Sequence, residues 1–218
     1  MADRNADTQS ERRRGFFERV IAPKLVARAC GCGLCTRQRQ RVVPDASGCV
    51  VEFGIGAGYN LPLYDRDRVT DVIGVEPDPS GNAQAEARAQ EADIPLQMRN
   101  ESAEATGLET GVADTLVTTY TLCTIPDLAA ALGEAQRLLK PGGRLLFCEH
   151  GRAEDPRTAR WQDRVNPWWR PLAGGCNLNR DISGAIASAG FSDLTFERYV
   201  PRGTPAIVAT HYVGAATR

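Results

Sequence analysis

The chain has 218 residues, 42% of them hydrophobic and 24% charged, and a formal net charge of −1. That size and balance suit one compact α/β domain and supply no broad positive field for nucleic acid. No apolar run approaches the roughly 20 residues that span a bilayer, no signal-peptide pattern opens the chain, and its seven cysteines read as free thiols in a reducing cytoplasm.

In chain order, residues 1–10 are polar and read as disordered. From about Glu11 to Ala29 the residues Phe16, Phe17, Val20, Ile21, Leu25 and Val26 recur with helical period. Pro23 must kink that helix or divide it, and the basic run Arg12–Arg14 reads as its solvated start. This N-terminal arm, residues 1–41, has three readings: packing on the core, capping a site, or weak peripheral contact with a membrane surface. A second basic helix is expected over about Arg37–Val43. Cys30-x-Cys32-x-x-Cys35 lacks the nearby fourth ligand that tetrahedral zinc needs, so it reads as three free thiols, and no metal is expected.

Strands and helices then alternate through residues 42–218. Val50–Phe53, Val72–Glu76, Leu96–Arg99, Asp114–Tyr120 and Arg144–Glu149 read as strands. Helices are expected over about Ser80–Ala92 and Asp127–Leu139, the second ended by Lys140-Pro141-Gly142-Gly143. A Trp-rich insertion at about 151–180 suits a substrate cap. A last helix spans about Asp181–Ala189 with Gly190-Phe191 as its stop, and Leu194–Tyr199 and Ile207–Val213 are close enough to pair antiparallel. Together these predict a doubly wound, Rossmann-like, seven-stranded sheet with a C-terminal antiparallel hairpin. Ligands are expected above the carboxyl ends of its parallel strands.

The chemistry concentrates after the first strand. Glu52 is followed by Gly54-x-Gly56-x-Gly58, and glycines at alternate positions let backbone approach a ligand closely. A strand-to-helix turn also leaves N–H groups free for negative charge. Dinucleotide turns of the G-x-G-x-x-G type would want glycine at 59, where this chain has Tyr59. Glu76 ends the next strand, 18 residues beyond Gly58. Its carboxylate can accept two hydrogen bonds from the vicinal hydroxyls of a ribose, a device common to nicotinamide and adenosyl cofactors.

The E-x-G-x-G-x-G turn, Glu76, the Asn100-Glu-Ser-Ala-Glu104 stretch and LLKPGG at Leu138–Gly143 together resemble the class I methyltransferases (methyltransferase type 11 domain). The resemblance covers about Val42 to the C-terminus and implies S-adenosyl-L-methionine as cofactor. It implies cofactor contacts from Glu52, Gly54, Ile55, Gly56, Gly58 and Asn60. Glu76 and Pro77, Ser102, Ala103 and Glu104, and Thr121 and Leu122 complete that set.

Narrower stretches, TLCTIPD, CEHGRAEDPRTARWQDRVNPWWRPLAGGCNLNRD and the late Gly-Phe, resemble bacterial relatives of the animal membrane-associated thiol methyltransferases. That resemblance implies a small-molecule acceptor, an alkyl thiol, although this chain has no long apolar anchor at its start. An amine, phenol or lipid headgroup is the alternative acceptor, and a protein that binds the cofactor without turnover is the alternative of another class. A sulfonium methyl needs mainly alignment and desolvation, so a base matters only for a protonated acceptor. His150, after the fifth strand, suits an orienting group or base. Trp161, Trp168, Trp169, Asn166, Cys176 and Asn177 suit an acceptor pocket, though packing without ligand contact serves the tryptophans equally well. Cys123 and Cys148 at strand ends read as small apolar pocket groups. Cys49 reads as buried in the first strand, and His211 as a surface or edge residue of the last. Oligomeric state is open.

Overall fold

A computed structural model describes residues 33–218; the expected helix over 11–29, Cys30 and Cys32 lie outside that range. The chain runs through α1 (Gly33–Arg39), β1 (Gly48–Phe53), β2 (Val69–Val75), α2 (Asn82–Ala92) and β3 (Leu96–Arg99). It continues as β4 (Ala113–Thr119), α3 (Leu128–Leu138), β5 (Leu139–His150), α4 (Pro156–Leu172) and α5 (Ile182–Ser188). It closes with β6 (Ser192–Tyr199), α6 (Ala206–Ala209) and β7 (His211–Thr217). The strands form one seven-stranded sheet in the order β3-β2-β1-β4-β5-β7-β6. Pairs among β1 to β5 are parallel, and β7 runs antiparallel between β5 and β6.

Period-two alternation gives this sheet two buried faces. Register aligns Ile73, Val51, Leu116, Leu145 and Ala216 in a row across five strands. That row packs with Leu132 and Leu138 of α3 and with Ile182 and Ile186 of α5. The neighbouring Val50, Val72, Val117, Leu146 and Val213 face the other way, with Ala85 and Ala89 of α2. Each fully hidden Val, Leu or Ile contributes roughly 1.5–3 kcal/mol relative to an exposed one, so the two faces fix the carboxyl edge of the sheet as a rigid platform.

Four expectations change. The helix placed at Arg37–Val43 lies earlier, at Gly33–Arg39, followed by a 3-10 turn at Val43–Asp45 built on Pro44. The last strand begins at His211, because Ala206–Ala209 forms one helical turn after Pro205; four apolar residues alone do not distinguish strand from helix. His211 is therefore neither surface nor edge. It is 4% exposed, in a strand with neighbours on both sides, and its Nδ1 lies 2.7 Å from the Ala209 carbonyl. Cys49 is half-buried at the open start of β1, where its thiol donates to Asp71 Oδ2 at 3.3 Å. Among the described residues no helix is long and apolar enough to cross a membrane.

Candidate active site

β1 lies between β2 and β4, so the connections leaving these strands diverge and open a crevice above their carboxyl ends. A cleft of about 1060 Å³ occupies that position, of a size that suits a nucleoside-sized ligand with room beside it. β1 contributes Glu52 to its lining, and the turn after β1 contributes Gly54, Ile55, Gly56 and Asn60. The end of β2 contributes Glu76 and Pro77, the loop after β3 contributes Ser102, Ala103 and Glu104, and Thr121 follows β4. Gly58 and Leu122 stand outside that lining. Leu122 is 1% exposed and belongs to the core.

The glycine turn has separate reasons at its first and last positions. Gly54 has φ +69°, and a Cβ there would lie 2.2 Å from Thr121 Oγ1, so only glycine lets the β1 and β4 turns meet. Gly58 has φ +77°, and a Cβ would lie 2.8 Å from Ala85 Cα. Its part is to let α2 close on the turn. Gly56 N–H donates to Glu76 Oε2 at 3.2 Å, and Asp78 N–H donates to Oε1 at 3.1 Å. These two bonds aim the Glu76 carboxylate along the rim of the cleft. Burial raises its pKa, against the lowering effect of both N–H groups.

Glu52, 2% exposed, anchors the floor. Tyr64 Oη donates to its Oε2 at 2.6 Å and Asn60 Nδ2 to its Oε1 at 2.9 Å. Asn60 Nδ2 also reaches Thr119 Oγ1 at 3.1 Å. Burial pushes the Glu52 carboxyl up to about 7, although these hydrogen bonds and the nearby Arg39 charge pull it down. Arg39, 3% exposed, donates from Nε to Thr119 Oγ1 at 3.3 Å. Its guanidinium lies over the rings of Tyr59 and Tyr120, 5.4 and 5.0 Å from their centroids.

Sequence reasoning missed both arginines of this cleft, Arg39 and Arg88. Arg88 of α2 donates to the Ala57 carbonyl and covers Tyr59 at 4.7 Å. The alternating Arg37-Gln-Arg39-Gln-Arg41 run gives no sign of which arginine turns inward. The apolar pattern marks Tyr120 only as the end of a strand. It lines the cleft with φ +57°, an uncommon conformation for a bulky residue and one that clusters at functional sites.

Of the residues expected to receive an acceptor, His150, Asn166, Trp169, Cys176 and Asn177 form a second group beside the cleft, and Trp161 stands apart from it. His150, Trp161, Asn166, Trp169, Cys176 and Asn177 are not among its lining residues, whereas Thr124 and Gly174, next to Cys123 and near Cys176 in the chain, are. Asn177 ties the two loops together: its backbone N–H and Nδ2 both donate to the Cys123 carbonyl, at 2.9 and 3.0 Å. Asn166 Nδ2 donates to Asn177 Oδ1 at 3.2 Å. His150 Nδ1 lies 3.5 Å from Cys176 Sγ. A hydrogen bond with Cys123 draws the Cys176 thiol down to about 5, helped by His150 and by the Trp169 indole and opposed by burial. That indole N–H is buried and has no acceptor in good hydrogen-bond geometry. Burial lowers the His150 pKa, but the Cys176 sulfur and Glu149 more than offset it and leave the imidazole raised.

The tryptophans divide by helix face. Trp161 and Trp168 of α4 are 58% and 78% exposed and point to solvent, while Gln162 on the inner face is 1% exposed. Cys148 is fully buried, and its neighbour Glu149 turns inward to accept from Thr118 Oγ1 and, at 3.1 Å, from the Thr121 N–H.

Comparison with known proteins agrees with this geometry. A family model described as a methyltransferase domain matches residues 28–195. The chain is 31% identical over 184 residues to thiol S-methyltransferase TMT1B of Homo sapiens, covering 79% of this chain and 72% of that protein. It is 29% identical over 175 residues to thiol S-methyltransferase TMT1B of Rattus norvegicus, covering 78% and 70%. Among solved structures it is similar to a SAM-dependent methyltransferase, possible histamine N-methyltransferase, of Thermotoga maritima, with TM-score 0.62 and 21% identity over 93% of this chain and 98% of that one. It is also similar to geranyl diphosphate C-methyltransferase of Streptomyces coelicolor A3(2) in complex with S-adenosyl-L-homocysteine, with TM-score 0.67 and 18% identity over 85% and 79%. At such identities the two structures speak for the fold.

Proposed function

The chain belongs to the methyltransferase domain family as a class I S-adenosylmethionine-dependent methyltransferase, and on that premise we propose that its acceptor is a small alkyl thiol. The observation that carries this reading is the similarity to two thiol S-methyltransferases across at least 70% of their lengths.

In this reading Gly54 and Gly56 would hold the methionine end of the cofactor. Glu76 would accept from the ribose hydroxyls, and Pro77 with the Ser102–Glu104 loop would hold the adenine. The fixed aim of the Glu76 carboxylate and its place on the cleft rim support that placement. The acceptor enters from the side of Thr124 and Gly174, with His150, Cys176 and Asn177 behind that wall as its orienting groups.

The reaction asks little of the protein beyond alignment. The bound cofactor would supply an activated methyl group to an in-line thiolate, the new S–CH₃ bond replacing the methyl–sulfonium bond, whose electron pair would stay on the cofactor sulfur as S-adenosylhomocysteine. A free alkyl thiol has a pKa near 8.5, so only a few per cent is ionised at neutral pH, yet that fraction is strongly nucleophilic. A series of thiols of falling pKa tests this. At pH 7 turnover should increase as acceptor pKa falls toward 7, and for each thiol it should rise with pH toward that thiol's own pKa. Turnover indifferent to both would remove the thiolate from the mechanism.

A further inference from the structure

The sequence drew attention to Cys30-x-Cys32-x-x-Cys35 as a place for metal, yet the fold gathers a different set. Cys123, in the turn after β4, His150, at the end of β5, and Cys176, in the loop after α4, bring two thiol sulfurs and an imidazole nitrogen within 4.8 Å of one another. We propose that these three residues form a binding site for one Zn²⁺ ion, with three protein ligands and a fourth position left for water or a small exogenous ligand.

The distances fit. Zinc–sulfur bonds of about 2.3 Å and zinc–nitrogen bonds of 2.0–2.1 Å, set at tetrahedral angles, place sulfur and nitrogen about 3.5 Å apart and two sulfurs about 3.8 Å apart. His150 Nδ1 and Cys176 Sγ already stand 3.5 Å apart, an edge of that tetrahedron.

The ligands are also held in place by the surrounding fold. His150 closes β5 and pairs antiparallel with His211 of β7. Cys123 and Cys176 are 3% and 7% exposed, and their loops are joined by both Asn177 hydrogen bonds to the Cys123 carbonyl. Little rearrangement is needed beyond drawing the three donors onto one centre. The donor set selects the metal: thiolates and imidazole favour zinc over magnesium or calcium, which seek oxygen. Two cysteines, one histidine and an open position is a ligand set of catalytic rather than closed structural zinc sites. The ion would clamp the Gly174 loop to the carboxyl ends of β4 and β5, beside the cleft. In the loaded form His150 serves as a ligand and no longer accepts a proton at the coordinating nitrogen. The site goes beyond the thiol reading, since its formation does not depend on which acceptor is methylated.

The experiment is an anaerobic titration of reduced, chelator-treated full-length protein with Co²⁺, followed by Zn²⁺. One Co²⁺ per chain is expected, with thiolate-to-cobalt charge-transfer absorption, intense visible bands of tetrahedral geometry, and displacement by Zn²⁺. Cys176→Ser and His150→Gln should each weaken binding roughly 100-fold or more, while Cys32→Ser should bind as the parent does. Binding of S-adenosylhomocysteine reports that each variant is folded. Should a variant not fold, the parent decides the matter through peptide-mapped alkylation, in which Zn²⁺ must slow the modification of Cys123 and Cys176. Absence of the charge-transfer band, alkylation of both cysteines unchanged by Zn²⁺, or loss of binding in Cys32→Ser with retention in Cys176→Ser would each overturn the proposal.

Discussion

Burial of Glu52 ties the stability of the fold to pH. Its carboxyl is pushed up to about 7 in the folded chain, above its ordinary value of 4.5. Between those two values the native state holds a proton that the unfolded state has released. Stability must therefore fall as pH rises from about 5 to about 7, by at most roughly 1.4 kcal/mol per pH unit. The groups facing it are Tyr64, Asn60 and Arg39, which favour the charged form, and Glu76, which disfavours it. Glu52→Gln should flatten that slope when denaturant midpoints are followed from pH 5 to 8, and equal slopes in parent and variant would refute the assignment. At the rim, where Glu76 is proposed to hold the ribose, Glu76→Ala would remove charge-assisted hydrogen bonds worth roughly 1.5–3 kcal/mol, so S-adenosylhomocysteine should bind about 10- to 100-fold more weakly by calorimetry. Unchanged affinity would mean that the ribose lies elsewhere. Glu52, the glycines and Glu76 were legible because each departs from the apolar pattern of a strand end. Arg39 and Arg88 were not, because an inward arginine has the same letter as a solvated one, and only the register of α1 and α2 against Tyr59 tells them apart.

The Gln162 side chain is one of the ties that hold the insertion between β5 and α5. Gln162 of α4 accepts from the Ala153 N–H at 2.8 Å and donates to the carbonyls of Gly151 at 3.1 Å and Ile207 at 3.2 Å. It thereby joins α4, the end of β5 and α6. Gln162→Ala leaves those buried backbone groups without partners at about 1–3 kcal/mol each before water enters. A loss of roughly 2 kcal/mol or more in unfolding free energy is the expected outcome of chemical denaturation, and a change under about 0.5 kcal/mol would show that α4 is fixed by other contacts. The start of α4 is readable in Asp155-Pro156-Arg157-Thr158, where Asp155 accepts from Thr158 N–H at 2.8 Å and proline stands at the first turn. The rest was obscured, because Pro167 and Pro171 lie inside the helix and two of its tryptophans face solvent. The α6 turn was hidden for the opposite reason: its Ala-Ile-Val-Ala run is as apolar as the strand it precedes.

At the scale of the molecule, the alternation of apolar strands with Ala- and Leu-bearing helices was enough to predict the sheet and the position of its cleft. That pattern reflects a physical requirement, since parallel strands must be covered on both faces and ligands then enter at the point where strand order reverses. The acceptor side was less legible. His150, Cys123 and Cys176 lie 27 and 26 residues apart in successive steps along the chain, and only three-dimensional closure brings them together. The proposed acceptor atom is sulfur. It is tested by incubating the purified protein with methyl-labelled S-adenosylmethionine and an equimolar mixture of an alkyl thiol, a primary amine and a phenol, then identifying the labelled product by mass spectrometry. The label should appear in the methyl thioether; label on nitrogen or oxygen with none on sulfur, or no transfer to any acceptor, would rule out a thiol acceptor.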